Sequence, residues 1–317
     1  MPNLKNPSPP ADGYRGRFAP SPTGPLHAGS LVAALGSWLD ARQNQGKWLI
    51  RIEDLDTPRC IPGADQEILS QLLACGLSWD EEPTWQSKHQ DRYKEALKRL
   101  NELQTIYPCT CSRQTIANTL EARGIVTLRN QEIVYPGSCR PQQIPLYEDE
   151  NIFTVEAAWR LALPPDLSIH FEDLALGIQS QNLNQEVGDF VLRRRDGIFT
   201  YQLAVVVDDA EQGITHIVRG ADLLNNTARQ IHLQSILGYP TPSYLHLPLV
   251  LDEHGEKLSK QNLANAIHTE NAQQALQELR KAGEHLGLRD LPDGKDTSIA
   301  EWLLAATQAW NRKIISS

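Results

Sequence analysis

One stretch constrains the fold more than any other: GRFAPSPTGPLHAGSLVAALGSWLDARQNQG at residues 16–46, followed directly by KWLIRIED. The short apolar GRFAP reads as a strand. Leu31, Ala34, Leu35, Trp38 and Leu39 then recur at helical spacing, and KWLIRIED reads as a second strand. A strand, a helix and a strand in immediate succession imply two parallel strands joined by a crossover, and hence an α/β sheet covered by helices.

The pattern continues along the chain. Ile68, Leu69, Leu72 and Leu73 mark an amphipathic helix, and HQDRYKEALKRLNEL marks another with a charged open face. From about Ile106 to Gly188 the periodicity breaks into cysteines, prolines and short mixed segments, as in an insertion. YQLAVVVDDA, THIVRG and NTARQIHLQSILG resume helix and strand as a second half, and LHLPLVLD reads as a buried strand. Helical segments around residues 272–282 and 300–311 close the pattern. The expected organisation is a flexible N-terminus (1–13), a first catalytic half (14–105), an insertion (106–188), a second half (189–255), and a polar loop with a short helical C-terminal part (256–317).

No run approaches the ~18 apolar residues of a membrane span, and MPNLKNPSPPADGYRG has no apolar signal core, so a cytoplasmic protein without membrane contact is expected. Five cysteines without a secretion signal argue for free thiols or metal ligands rather than disulfides. A net charge of −9 disfavours simple coating of nucleic acid, yet Arg193, Arg194 and Arg195 form a local basic run that leaves RNA open as a partner.

His27 and Gly29 stand where the first strand turns into its helix, and ligands of α/β sheets bind at such carboxyl ends, facing the first helical N–H groups. Glycine permits close approach of a ligand to the backbone, and imidazole can donate to a phosphate oxygen. With 9 His and 20 Gly, His-x-Gly should arise by chance about 0.6 times, so a loop histidine beside a packing glycine is the default on those letters alone. Likewise EKLSKQ at 256–261, carrying Lys257 and Lys260, would pass alone for a solvated loop.

Together, RFAPSPTGPLHAG and KLSK resemble the two ATP-binding signatures of class I aminoacyl-tRNA synthetases of the glutamyl group, over about Arg17 to Gln261. Ala28, Ser30 and Gln261 depart from the generic signatures. The resemblance implies a Rossmann-type catalytic domain that activates an amino acid by attack of its carboxylate on the α-phosphate of ATP. That chemistry needs neutralised triphosphate charge and in-line reactants, and no protein nucleophile. It implies His27, Gly29, Lys257 and Lys260 around ATP, with His27 and Lys260 catalytic and Mg²⁺ sharing the phosphate charge. It places Arg17, Phe18, Ala19, Pro20, Ser21, Glu53, Tyr201 and Arg219 around L-glutamate: a guanidinium suits the side-chain carboxylate, and Glu53 the α-ammonium. Arg51 and Asp54 read more simply as surface ion pairs.

Cys60 in a loop and Cys75 at the end of an apolar helix read as inert. Cys109, Cys111 and Cys139 suit zinc but lack a fourth ligand, for which water, His89, His170 or a tyrosine are open from the residues alone. The resemblance narrows to the glutamyl-queuosine tRNA(Asp) synthetases, truncated relatives of glutamyl-tRNA synthetase, which implies a Zn²⁺ site of Cys109, Cys111, Tyr135 and Cys139. It further implies activation of glutamate without tRNA and its transfer to the queuosine base of tRNA(Asp) by a monomer. After Lys260 only 57 residues remain, too few for the large anticodon-gripping region of an ordinary glutamyl-tRNA synthetase, so the anticodon loop itself is expected at the active site. The alternatives are an ordinary or discriminating glutamyl-tRNA synthetase and a non-catalytic RNA-binding paralogue.

Overall fold

The computed structural model describes residues 13–125, 133–250 and 265–312. The chain opens with β1 (Arg15–Phe18), α1 (Ala28–Gln43) and β2 (Lys47–Ile52), followed by α2 (Ala64–Ala74), β3 (Thr84–Trp85) and α3 (Gln90–Glu102). Next come β4 (Ile106–Cys109), α4 (Arg113–Ala122), α5 (Asp149–Thr154), β5 (Ala158–Leu161), β6 (Ser168–Asp173), β7 (Gly177–Asn182), α6 (Leu183–Glu186) and β8 (Phe190–Arg193). α7 (Tyr201–Glu211), β9 (His216–Gly220), α8 (Leu224–Leu237), β10 (Ser243–Leu247), α9 (Ala272–His285) and α10 (Ile299–Ala309) complete it.

β1 and β2 pair in parallel from Arg15 opposite Lys47 to Phe18 opposite Ile50, and β9 and β10 pair in parallel from His216 opposite Ser243 to Gly220 opposite Leu247. The two sets meet edge to edge where the Thr215 N–H donates to the Arg15 carbonyl at 2.9 Å. The carboxyl ends of β1 and β9 therefore lie side by side, at the usual ligand position of an open parallel sheet.

α1 is apolar on most sides because it is covered on most sides: β1 and β9 flank it, and α9 and α10 pack against it. Leu31, Leu35 and Leu39 are fully buried there, each worth about 1.5–3 kcal/mol relative to exposure. Gly36 permits the close approach, since a Cβ at that position would meet Leu247 Cδ1 at 2.6 Å. Buried Asp40 holds the C-terminal segment onto α1. It accepts from Tyr14 Oη, Trp310 Nε1 and the Arg312 guanidinium at 2.7–2.9 Å.

Three features differ from the sequence expectation. Leu73 is exposed, because the buried face of α2 runs through Ala64, Ile68, Leu69, Gln71 and Leu72. Among the described residues of LHLPLVLD, the strand is the end of β10 and stops at Leu247, where Pro248 has no N–H to continue the ladder. Strand pairing also crosses the limits set at 106 and 188. β8 closes a sheet with β4 and β5, whereas the β6–β7 hairpin joins β10, with Asp173 opposite Tyr244. The N-terminal residues 1–12, expected to be flexible, lie outside the described residues. Among the described residues no helix is long and apolar enough to cross a membrane.

Candidate active site and metal centre

A cavity of about 570 Å³ opens at the carboxyl ends of β1, β2, β9 and β10. Arg17, Phe18, Ala19, Pro20, Ser21, His27, Gly29, Glu53, Tyr201 and Arg219, dispersed over some 200 residues of sequence, all line it. Lys257 and Lys260 lie outside the described residues. The proline-rich loop after β1 keeps its shape through its carbonyls: Pro20 O accepts from the Glu53 N–H and Pro22 O from the Ile61 N–H, both at 2.9 Å. The loop delivers His27 as the N-cap of α1, its Nδ1 accepting from the Ser30 N–H at 3.3 Å. This leaves the first turn of α1, with Gly29, facing the cavity.

One wall is a buried ion network. Arg17 binds Asp209 through Nε at 2.9 Å and Nη2 at 3.3 Å, and Arg51 binds Asp209 at 2.8 Å and Gln212 Oε1 at 2.6 Å. Asp208, beside Asp209, accepts from Tyr93 Oη and Gln86 Nε2. Arg51 is therefore not a surface residue: it is 1% exposed, and its partners approach from a helix 158 positions away. Asp54 accepts from the Ser87 backbone and hydroxyl and so fixes the chain after β2.

Glu53 stands apart within this network. Its Oε1 lies 3.5 Å from Arg51 Nη2, beyond good hydrogen-bond geometry, and has no hydrogen-bond partner among the described residues. Burial raises its carboxyl to about 7, against the pull of Arg51 and Arg17, with Asp209 and Asp208 adding to the rise. The arrangement is a buried, cavity-lining carboxylate short of one positively charged donor.

Arg219 is the complementary group. Its guanidinium is 5% exposed and donates to neutral acceptors: Tyr201 Oη at 3.2 Å, Gln230 Oε1 and Thr227 Oγ1 at 2.8 Å, and His246 Nε2 at 3.1 Å. No carboxylate pairs with it among the described residues. His246 is locked from behind, Nδ1 lying 2.6 Å from Asp173 Oδ2, which leaves Nε2 as the acceptor for the Arg219 Nε–H. Asp173 is in turn held low by His246 and by the backbone N–H groups of Leu176 and Ala175, against its burial.

Sequence reading missed Arg51, Asp209, Asp173, His246, Arg59 and Asp222, of which Arg59 and Asp222 line the cavity directly. The one available signal was the Asp208–Asp209 pair ending the apolar run LAVVV, where two carboxylates must find cationic partners.

About Cys109 the chain gathers a second cluster. The sulfurs of Cys109, Cys111 and Cys139 all lie within 4.8 Å of one another, and no histidine or carboxylate joins them among the described residues, which removes His89 and His170 as ligands. Tyr135 Oη is 3.3 Å from Cys109 Sγ and 3.7 Å from Cys111 Sγ, and Cys111 and Cys139 Sγ are 3.4 Å apart. Ligands at ~2.3 Å around a tetrahedral zinc stand ~3.8 Å apart, so these donors fit such an ion with small adjustments. Arg160 lies 3.7 Å over the Tyr135 ring in a cation–π contact, and burial with the hydrogen bond to Cys109 holds the phenol above its ordinary value. Gly188 bridges Tyr135, and a Cβ there would meet Tyr135 N at 2.8 Å. Cys75 is fully buried, its thiol pushed up to about 12 by burial, and Cys60 sits in its loop with a raised pKa of the same origin.

The crevice at the strand ends thus brings together a helix-start histidine, a carboxylate whose Oε1 has no hydrogen-bond partner and a buried guanidinium with no carboxylate partner among the described residues. Residues 14–294 match the catalytic domain of class I tRNA synthetases (E and Q), and the chain belongs to that family. More narrowly, it is similar nearly throughout to proteins named glutamyl-Q tRNA(Asp) synthetase. That of Cupriavidus metallidurans is 52% identical over 303 residues, covering 95% of this chain and 92% of the relative. That of Burkholderia cenocepacia strain HI2424 is 53% identical over 307 residues, covering 95% and 97%. Among solved structures, a glutamate tRNA ligase of Elizabethkingia meningosepticum in complex with its amino acid superposes with a TM-score of 0.75 at 28% identity, over 95% of this chain. This chain spans only 65% of that ligase.

Proposed function

We propose that the chain activates L-glutamate with ATP and Mg²⁺, without tRNA, and esterifies it to the queuosine base at the wobble position of tRNA(Asp). The observation that carries this reading is the charge pattern of the cavity. Arg219, unpaired by any carboxylate among the described residues, suits the glutamate side chain, and Glu53, lacking a donor there, suits the α-ammonium. A dicarboxylic amino acid answers both at once. Arg17 acts mainly through Asp209, as an already neutralised wall that fixes the first strand. With both ends of the substrate held, its α-carboxylate is presented toward the start of α1, where His27 and the helix N–H groups receive the α-phosphate. Lys257 and Lys260 complete the phosphate site and steady the departing pyrophosphate.

The names of the relatives support the queuosine acceptor. Cys109, Cys111, Tyr135 and Cys139 would hold Zn²⁺, which supplies a structural cross-link there: it ties β4 to the segment carrying Tyr135. A cytoplasmic monomer is part of the same reading. The test is transfer of labelled glutamate to an anticodon stem-loop of tRNA(Asp) bearing queuosine, to the same hairpin bearing guanosine, and to full-length tRNA(Glu). An alkali-labile ester on the queuosine hairpin alone is expected. Transfer to tRNA(Glu) alone would establish an ordinary glutamyl-tRNA synthetase instead.

A further inference from the structure

A second cavity, of about 940 Å³, lies against the sheet formed by β4, β5 and β8 and takes Cys111 of the cysteine cluster into its wall. Its ionised lining comprises five arginines, Arg113, Arg160, Arg193, Arg194 and Arg195, against Glu156 and Asp196, a local charge of +3 on a chain whose net charge is −9. We propose that this groove seats the sugar–phosphate backbone of the RNA beside the nucleotide that enters the catalytic cavity. The proposal rests on the reading of the chain as an RNA-dependent synthetase and assigns the partner a place on it.

Arg194 is paired with Asp196 at 2.5 Å and with Asp56 at 3.4 Å, whereas Arg113, Arg160 and Arg193 have no carboxylate partner among the described residues. Arg113 is exposed at the start of α4, and Arg195 is 64% exposed, meeting Glu156 only at 3.5 Å, a surface pair of little strength. Arg193 is buried and donates to the Ile152 and Phe153 carbonyls, so its charge is held in place without being neutralised. Arg160 is buried as well, and its Nε has no hydrogen-bond partner among the described residues. Several guanidinium groups on one wall, with few carboxylates among them, match a row of phosphates better than any other common polyanion chemistry.

The groove also has the right neighbour. Asp56 Oδ2 accepts from Arg194 at 3.4 Å and from Arg59 at 2.7 Å, and Arg59 lines the catalytic cavity. One carboxylate thus links the two cavities, so a strand lying along the arginines can place an unstacked base into the catalytic crevice.

The test is fluorescence-anisotropy binding of the queuosine and guanosine hairpins of tRNA(Asp) over a salt series, with the native chain and the double variant Arg113→Glu/Arg195→Glu. Because the groove reads backbone, both hairpins should lose roughly tenfold or more in affinity at low salt. The slope of log K against log[salt] should also flatten by about 0.7–0.9 for each phosphate that the variant no longer neutralises. Arg113→Lys/Arg195→Lys should keep most of the slope. Melting temperature and glutamate-dependent ATP–pyrophosphate exchange, which involve no RNA, report that the variant is folded. Unchanged affinity and slope in the charge-reversed variant would overturn the proposal, as would a native chain that binds neither hairpin at low salt. If the native chain binds and the variant does not, but no glutamate reaches the queuosine hairpin, the groove stands and the queuosine reading falls.

Discussion

Glutamate binding should release a proton, and the amount can be worked from Glu53. Its carboxyl is raised to about 7 by burial, so near neutrality the free protein holds a mixture of acid and carboxylate. Only the carboxylate can accept the α-ammonium, and once the ammonium is bound its charge brings Glu53 far below 7. Affinity is therefore full above pH 7 and is lost as pH falls below it, by a factor of about 1 + 10^(7−pH): roughly tenfold weaker at pH 6 than at pH 8. About three quarters of a proton should leave per glutamate bound at pH 6.5, and about a tenth at pH 8. The ligand's own groups do not titrate between these values, which isolates the protein's contribution. Calorimetry in buffers of different ionisation enthalpy measures the release directly. Glu53→Gln should bind weakly, with no release and no slope over this range. The same raised value makes ionised Glu53 a burden on the fold, so glutamate-free stability should decline as pH rises from about 4.5 to 7. A native chain whose glutamate affinity is flat from pH 6 to 8, with no proton released, would refute the assignment of Glu53 to the ammonium.

Other outcomes follow from single contacts. Asp209→Asn leaves Arg17 and Arg51 short of their shared carboxylate and should destabilise the chain by about 3–5 kcal/mol in urea unfolding. His246→Ala removes the acceptor behind Arg219 and should raise the glutamate KM in ATP–pyrophosphate exchange roughly tenfold while kcat moves little; His246→Gln, which can still accept, should recover most of the loss. Protein purified without chelator should carry one zinc per chain by elemental analysis, and Cys111→Ser should lose it together with melting temperature, more than it loses exchange activity.

The crevice was legible because its parts sit at strand ends that local periodicity reveals. GRFAP, KWLIRIED and THIVRG each deliver their charged site residue within one position of the strand's end, Arg17 and Arg219 just before it and Glu53 just after. Arg51 was not legible, since Arg and Glu alternating along one strand look like a solvated edge until α7 is folded against them. Asp173 and His246 were hidden for the same reason: each is unremarkable locally, and only the long-range pairing of β6 with β10 brings them together. The cysteine cluster was legible as three thiols, but its histidine alternatives were settled only by the path of the chain.

That pairing of β6 with β10 bears on how such a protein can be taken apart. The stretch between residues 106 and 188 looks like a cassette, bounded on both sides by a resumed βαβ pattern, and invites exchange with the corresponding stretch of a relative. Yet it carries Asp173, the group that fixes the tautomer behind Arg219, and it leaves outside it β8, which closes the sheet of β4 and β5. A chimera cut at those two points would inherit a foreign backing for its substrate pocket and an unpaired strand edge in the graft. Swaps that preserve both would have to carry β8 across and retain the native β6–β7 hairpin, so the heritable unit here is set by hydrogen-bond partnership and not by contiguity in sequence.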